Sequence, residues 1–160
     1  MTDYTAFPNG ITIEDGTHLT AGWQVAKHTG AAFDGGTGNA HGDYDGTGNP
    51  VTLFEVSGVV ECRVIGVCNT LLAGASATLA VGTASNTASL IASTTATDID
   101  ANEVWNGATP GVGSAAYAAH PVVVIADIIE TAGTANITAG QIDYYCTWRP
   151  LSDGATVTAA

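Results

Sequence analysis

Positive charge is almost missing from this chain: Lys27, Arg63 and Arg149 are its whole supply, against 15 Asp and Glu, for a formal net charge of −12. Holding a phosphate backbone takes clustered Lys and Arg, so three scattered cations argue against direct nucleic-acid binding. An anionic membrane surface is disfavoured on the same ground. Charged residues of both signs reach only 11%, less than half of the roughly one quarter usual in soluble domains. No run approaches the roughly eighteen apolar residues of a spanning helix. "MTDYTAFPNG" at the N-terminus has neither a basic nor an apolar region, so no signal peptide is expected. The three cysteines, Cys62, Cys68 and Cys146, are an odd number set in apolar, strand-like sequence. They read as reduced packing residues of a protein made in a cytoplasm, not as a disulfide framework.

What fills the chain instead is Ala, Thr, Gly, Ser and Asn around a hydrophobic content of 46%, enough in 160 residues for one domain with a real core. Apolar residues rarely recur at helical spacing. Val, Ile, Thr and aromatics gather in short runs broken by Gly, Asn and Asp, the pattern of an all-β domain. Strands are expected at 17–26, 51–68, 77–83, 89–94, 121–126, 127–133 and 140–150, with Gly58 marking a bend, a bulge or a switch between sheets. Period two assigns the faces. Ile142, Tyr144, Cys146 and Trp148 share one side, opposite Asp143, Tyr145, Thr147 and Arg149. Val60, Cys62, Val64, Gly66 and Cys68 oppose Glu61, Arg63, Ile65 and Val67, leaving both arginines on polar faces where a carboxylate can pair with them. The expected fold is a two-sheet antiparallel β-sandwich, jelly-roll-like, with extended N- and C-terminal arms. It forms one domain, with an N-terminal arm, first strands and Gly-rich loop in 1–50, the β-sandwich core in 51–150 and a C-terminal tail in 151–160.

The passage "DGGTGNAHGDYDGTGNP" (34–50) is the most ligand-like in the chain. A P-loop needs a lysine after its glycines, and Lys27 lies before them; a dinucleotide turn needs glycine where His41 stands. Asp43, Asp45 and Gly46 echo the start of a calcium loop, but Thr47 takes the third oxygen position and Phe54 stands where the bidentate Glu belongs. A calcium β-roll fails at Ala40. The passage reads as a surface loop closed by a "DGTGNP" turn ahead of the 51–56 strand. In "TDIDANEVW", Asp98, Asp100 and Glu103 offer acid–base or metal chemistry only if buried or crowded. The preferred reading is one helical turn capped by Thr97 or Asp98. His18, His28, His41 and His120 lack zinc spacing. Gly74-Ala75-Ser76-Ala77 is followed by Thr78 where a nucleophile elbow needs glycine. Trp148 falls on the core register, leaving Trp23 and Trp105 as residues that can stack on a sugar. No catalytic, cofactor-binding or metal-binding residue is therefore assigned, and no cofactor is expected.

Two long blocks, "DGTGNPVTLFEVSGVVECRVIGVCNTLLAGASATLAVGTASNTASLIASTTATDIDANEVW" and "ITAGQIDYYCTWRPLSDGATVTAA", resemble a recurrent group of small tailed-phage and prophage structural proteins. The resemblance covers residues 45–107 and 121–160 and rests on scaffold and turn residues. It implies a non-enzymatic virion protein, synthesised in the host cytoplasm and displayed in many copies. Within that class it favours a head decoration (cement) protein on the outer capsid surface, a homo-oligomer, preferably a trimer, with the major capsid protein as partner. A tail or fibre-tip module binding host glycans through Trp23, Trp105 or loop tyrosines is the alternative, and a hydrolase built on Asp98, Asp100 and Glu103 a third class.

Overall fold

The computed structural model describes residues 5–7, 10–12, 18–19, 22–36, 40–44, 46, 49–114 and 121–160. The first three segments are described as backbone and form a small antiparallel sheet of β1 (Thr5–Phe7), β2 (Gly10–Thr12) and β3 (His18–Leu19). Expectations falling on Asp45, Thr47 and His120 lie outside the described residues.

Two larger sheets make the sandwich. The first follows the order β10 (Gly111–Val112), β9 (Glu103–Trp105), β6 (Val60–Ala73), β13 (Ala139–Pro150), β4 (Gln24–His28), with β11 (Val122–Val124) also on β6. The second runs β14 (Thr156–Ala159), β5 (Val51–Ser57), β12 (Ile128–Gly133), β7 (Thr78–Thr83), β8 (Asn86–Thr95). Pairings are antiparallel and nested: β7 with β8 innermost, β6 with β9 around it, then β5 with β12, and β4 with β13 outermost. A long hairpin rolled up in this way is a jelly roll, so the expected sandwich is the one observed.

Alternation explains the core. Along β6 burial alternates from Val60 to Cys68, and along β13 Ile142, Tyr144, Cys146 and Trp148 point inward, as period two requires. Leu53, Phe54, Leu79, Val81, Ile91 and Ile128 meet them from the second sheet. The expected 51–68 run is two strands in different sheets, and Gly58 makes the switch at φ +75, a left-handed conformation that disfavours a side chain. Gly66 answers a spatial need. It stands in register with Tyr144 on one side and Trp105 on the other, and their rings, 6.4 Å apart edge to face, close over it.

Two expectations are corrected. The C-terminal tail is not an arm: Thr156–Ala159 pairs with β5, Val157 and Ala155 are buried, and the Ala160 N–H donates to the Leu53 carbonyl at 3.1 Å. Pairing of all four residues with β5, with Val157 turned inward between exposed threonines, weaves this short segment into the sheet. The glycine-rich stretch is not a free surface loop. Phe33, Gly35 and Gly42 are buried, and the backbone here is laced to Ile137, just before β13, and to Gly140 at its start. Phe33 N–H donates to Gly140 O, Gly35 N–H to Ile137 O, and Ile137 N–H to Gly42 O, each at 2.9 Å. Gly42 is obligatory there, because at φ +89 any Cβ would lie 2.6 Å from the Ile137 carbonyl oxygen.

Candidate functional site

The most chemically built place in the described structure lies where that loop docks. Glu130 sits on β12 in the same register as Ala132, facing the sandwich interior, and is 2% exposed. A carboxylate so placed needs partners. Tyr144 reaches it from the opposite sheet and donates its hydroxyl to Oε2. His41 reaches it from the loop, its Nε2 2.5 Å from Oε1. The His41 ring stacks on Phe33, centroids 4.1 Å apart, and its Nδ1 lies 3.2 Å from the Ala32 carbonyl.

Hydrogen-bond roles fix the protons. A carbonyl only accepts, so Nδ1 carries a hydrogen. With Tyr144 also donating to Glu130, the arrangement is satisfied by an imidazolium against a carboxylate. Burial pulls the His41 pKa down, but Glu130's hydrogen bond and charge, aided by the Ala32 carbonyl and the Asp34 charge, leave it raised above 6.5. Burial first, and then Glu130, drive the Tyr144 phenol well above its ordinary range, so it stays a donor. A His–Glu–Tyr relay has the parts for proton transfer, but only the His41 side chain, 16% exposed, reaches solvent. The arrangement fastens loop to core. None of its members was assigned a role from sequence. The readable signal was Glu130 itself, a lone carboxylate on the inward side of an apolar strand.

The second place is the outer face of the first sheet. Register places Val123, Glu61 and Arg149 side by side, then Arg63, Thr147 and Val25, then Ile65, Tyr145 and Lys27. All three cations of the chain therefore lie on one sheet face. Lys27 Nζ is 2.9 Å from Asp143 Oδ2 and 5.5 Å from the centre of the Tyr145 ring. Arg149 Nε bonds Glu61 Oε2, the pairing expected from the face assignment. Trp23, 45% exposed, lies against both guanidinium groups, 5.8 Å from Arg63 and 5.4 Å from Arg149. The Asp143 hydrogen bond, countered by burial, raises the Lys27 pKa. Asp143 itself is pushed up by burial but pulled further down by Lys27 and Asn69.

The other sequence candidates separate. Ala96–Asp98 is the expected single turn, of 3-10 type, but its N-cap is Thr95 without a side-chain cap bond, not Thr97 or Asp98. Asp98 and Asp100 are exposed, and Glu103 Oε2 is engaged by the Asp100 N–H at 2.8 Å. Among the described residues no group of three or more His, Cys, Asp or Glu is placed to hold a metal ion. Trp105 is fully buried, its Nε1 donating to Thr94 Oγ1 at 2.9 Å, while the single Thr94 hydroxyl hydrogen is shared between the Ala92 carbonyl at 3.0 Å and the Gly107 carbonyl at 3.2 Å. It is removed from the sugar-stacking candidates because it fills the space above Gly66. Trp148 is buried, as its register required. The cysteines are free and buried. Burial pushes the Cys68 thiol up to about 11, and the Cys62 thiol, together with burial, raises Cys146 further still. A shallow groove of ≈ 310 Å³ on the second sheet is lined by Glu55, Val56, Ser57, Asp127, Thr156 and Thr158.

Comparison of the chain with protein-family models, with curated proteins and with solved structures yields no match in any of the three.

Proposed function

We propose that the protein is a non-enzymatic structural component of a tailed-phage virion, a head decoration protein that binds the outer capsid surface as a homo-oligomer and stabilises the shell. The observation that carries this reading is the one-sided surface. A rigid jelly roll collects its three cations and the half-exposed Trp23 on a single outer face, while its buried histidine, carboxylate and phenol are spent on fastening a loop. A one-sided, rigid module suits association with other protein surfaces. The phage-like blocks at 45–107 and 121–160 coincide with strands β5–β9 and β11–β14, the body of the sandwich. Repetition over many capsid sites turns modest contacts into shell stabilisation through avidity. A trimer on the major capsid protein is the favoured assembly. Net negative charge suits the outside of the head, away from packaged DNA.

The test is location and binding. Antibody labelling of intact particles is expected on the head, and the purified protein is expected to co-sediment saturably with tailed-phage heads and raise their rupture temperature. A monodisperse monomer that never binds heads overturns the reading. The glycan-binding tail module retains one observation in its favour, the exposed indole of Trp23. Label on the tail, together with glycan-array binding abolished by Trp23→Ala, would establish it instead.

A further inference from the structure

We infer that the apolar outer face of the first sheet, around Trp23, Val25 and Val123, is a docking surface for a second copy of this chain, and that it receives that copy's N-terminal sheet, β1–β3. This rests on the reading of the protein as a self-associating virion component and names both the surface and the segment that join.

The receiving face selects by apolar contact. Val25 is 66% exposed, Val123 59% and Trp23 45%, and register sets all three on the outer side of the sheet. Ile125 and Leu151, also exposed, continue the alternation just past β11 and β13, and the Leu151 N–H donates to the Val59 carbonyl at 2.8 Å. The cations on this face are engaged within the chain: Lys27 with Asp143, Arg149 with Glu61, and both guanidinium groups against Trp23. Exposed apolar side chains gathered on one face mark an association surface.

The small sheet needs such a floor. Its strands are three, three and two residues long and form a sheet of their own, separate from both sheets of the sandwich. So small a sheet is stable in water only when an apolar face is packed against something. Register supplies that face: Ala6 opposes Ile11, and Ile11 opposes Leu19, one apolar row across all three strands. Thr5, Thr12 and His18 make the adjacent row, which period two assigns to the other side.

The exposure of Trp23, Val25 and Val123 is that of a single chain, so the cover comes from another. Only residues 20–23 separate β3 from β4, and β4 is the edge strand of the receiving sheet. Each copy therefore extends its donor sheet from the margin of its own receiving face, and can give on one side while taking on the other. Contact between different patches of identical chains is heterologous, and such contacts close into rings when the rotation permits. That is the geometry a trimer requires.

The full-length double variant Ile11→Cys/Val25→Cys reads the contact directly, because the three native cysteines are buried. Light- and heavy-isotope protein, unfolded and refolded together, is oxidised with copper phenanthroline. The disulfide between the two introduced thiols is expected to join light chains to heavy ones. Sedimentation is expected to show an oligomer for the wild type. Ile11→Asp and Val25→Asp, each with an unchanged circular dichroism spectrum, should weaken it about 10-fold or more, the loss that follows from one buried aliphatic side chain. Thr12→Asp, in the row on the other side of the small sheet, should leave it intact. An oligomer indifferent to Ile11→Asp, Val25→Asp and the milder Val25→Ser, with no mixed-isotope link, overturns this contact while leaving a self-associating virion protein standing. Links confined within single chains place the small sheet on its own sandwich and overturn the second-copy occupant, as does a wild type that sediments as a monomer at every concentration. Capsid location, read separately by labelling, shows whether the virion reading has failed as well.

Discussion

His41 Nε2 lies 2.5 Å from Glu130 Oε1, tying a glycine-rich loop to the middle of a strand 89 positions further along the chain. Removing one partner strands the other. His41→Ala, which leaves Glu130 buried with Tyr144 as its remaining donor, is expected to cost about 3 kcal/mol in urea unfolding. Tyr144→Phe keeps the shape and is expected to cost about 1–2 kcal/mol. The double variant His41→Ala/Glu130→Leu should be more stable than His41→Ala alone, because no charge is then left in the core.

The same pair sets a pH dependence. The folded-state pKa of His41 is raised above 6.5, so its contribution is fully present below the unfolded value and is lost as pH rises through the folded one. Unfolding free energy should therefore fall from pH 6 toward pH 9. In His41→Gln that slope should flatten, and amide exchange in the 33–44 loop should lose its pH sensitivity beyond the intrinsic rate.

Thr94 accepts from the Trp105 indole and points its own hydroxyl hydrogen at the Ala92 and Gly107 carbonyls. Thr94→Val preserves the shape and strips the buried Trp105 N–H of this acceptor, at an expected cost of about 1–3 kcal/mol. Thr94→Ser, which restores the hydroxyl, should recover most of that loss in the same thermal scan.

At Gly66 an added Cβ would sit 2.9 Å from Ile142 Cγ2 and 3.1 Å from Trp105 Cε3. Gly66→Ala should lower stability by about 1–3 kcal/mol through overpacking. Near-ultraviolet circular dichroism should report a displaced Trp105, with the far-ultraviolet strand signal unchanged.

Thiol chemistry is closed in the native state. All three cysteines are buried, and Cys68, pushed up to about 11, holds almost no thiolate at neutral pH. A thiol reagent such as dithionitrobenzoate should titrate no cysteine in native protein and all three in urea.

Much of the sandwich was legible because β6 and β13 are long enough for alternation to show. Val60 through Cys68 and Ile142 through Trp148 announce their faces, and both placements follow from period two alone. β9, β10 and β14 were missed because strands of two to four residues contain too few alternations to rise above the surrounding Thr and Ala. The His41–Glu130–Tyr144 cluster was missed for a different reason. Its members come from three distant segments, and only the inward register of Glu130 between Ile128 and Ala132 hinted that a partner was needed. The cation-bearing face was half legible: Arg63 and Arg149 were placed on polar faces, but their meeting around Trp23 required knowing that β4 joins β13.

The nesting of the strands also has a kinetic meaning. The β7–β8 hairpin is local, whereas each pair around it closes a longer loop, until Gln24 meets Trp148 at the outermost turn of the roll. Contacts of such separation are slow to form, on the order of milliseconds to seconds. During synthesis the apolar side of β6 emerges well before its central partner β13 has been made. A nascent chain must therefore hold that side exposed until its later strands arrive, and the yield of folded protein will depend on how well that side is shielded in the interval.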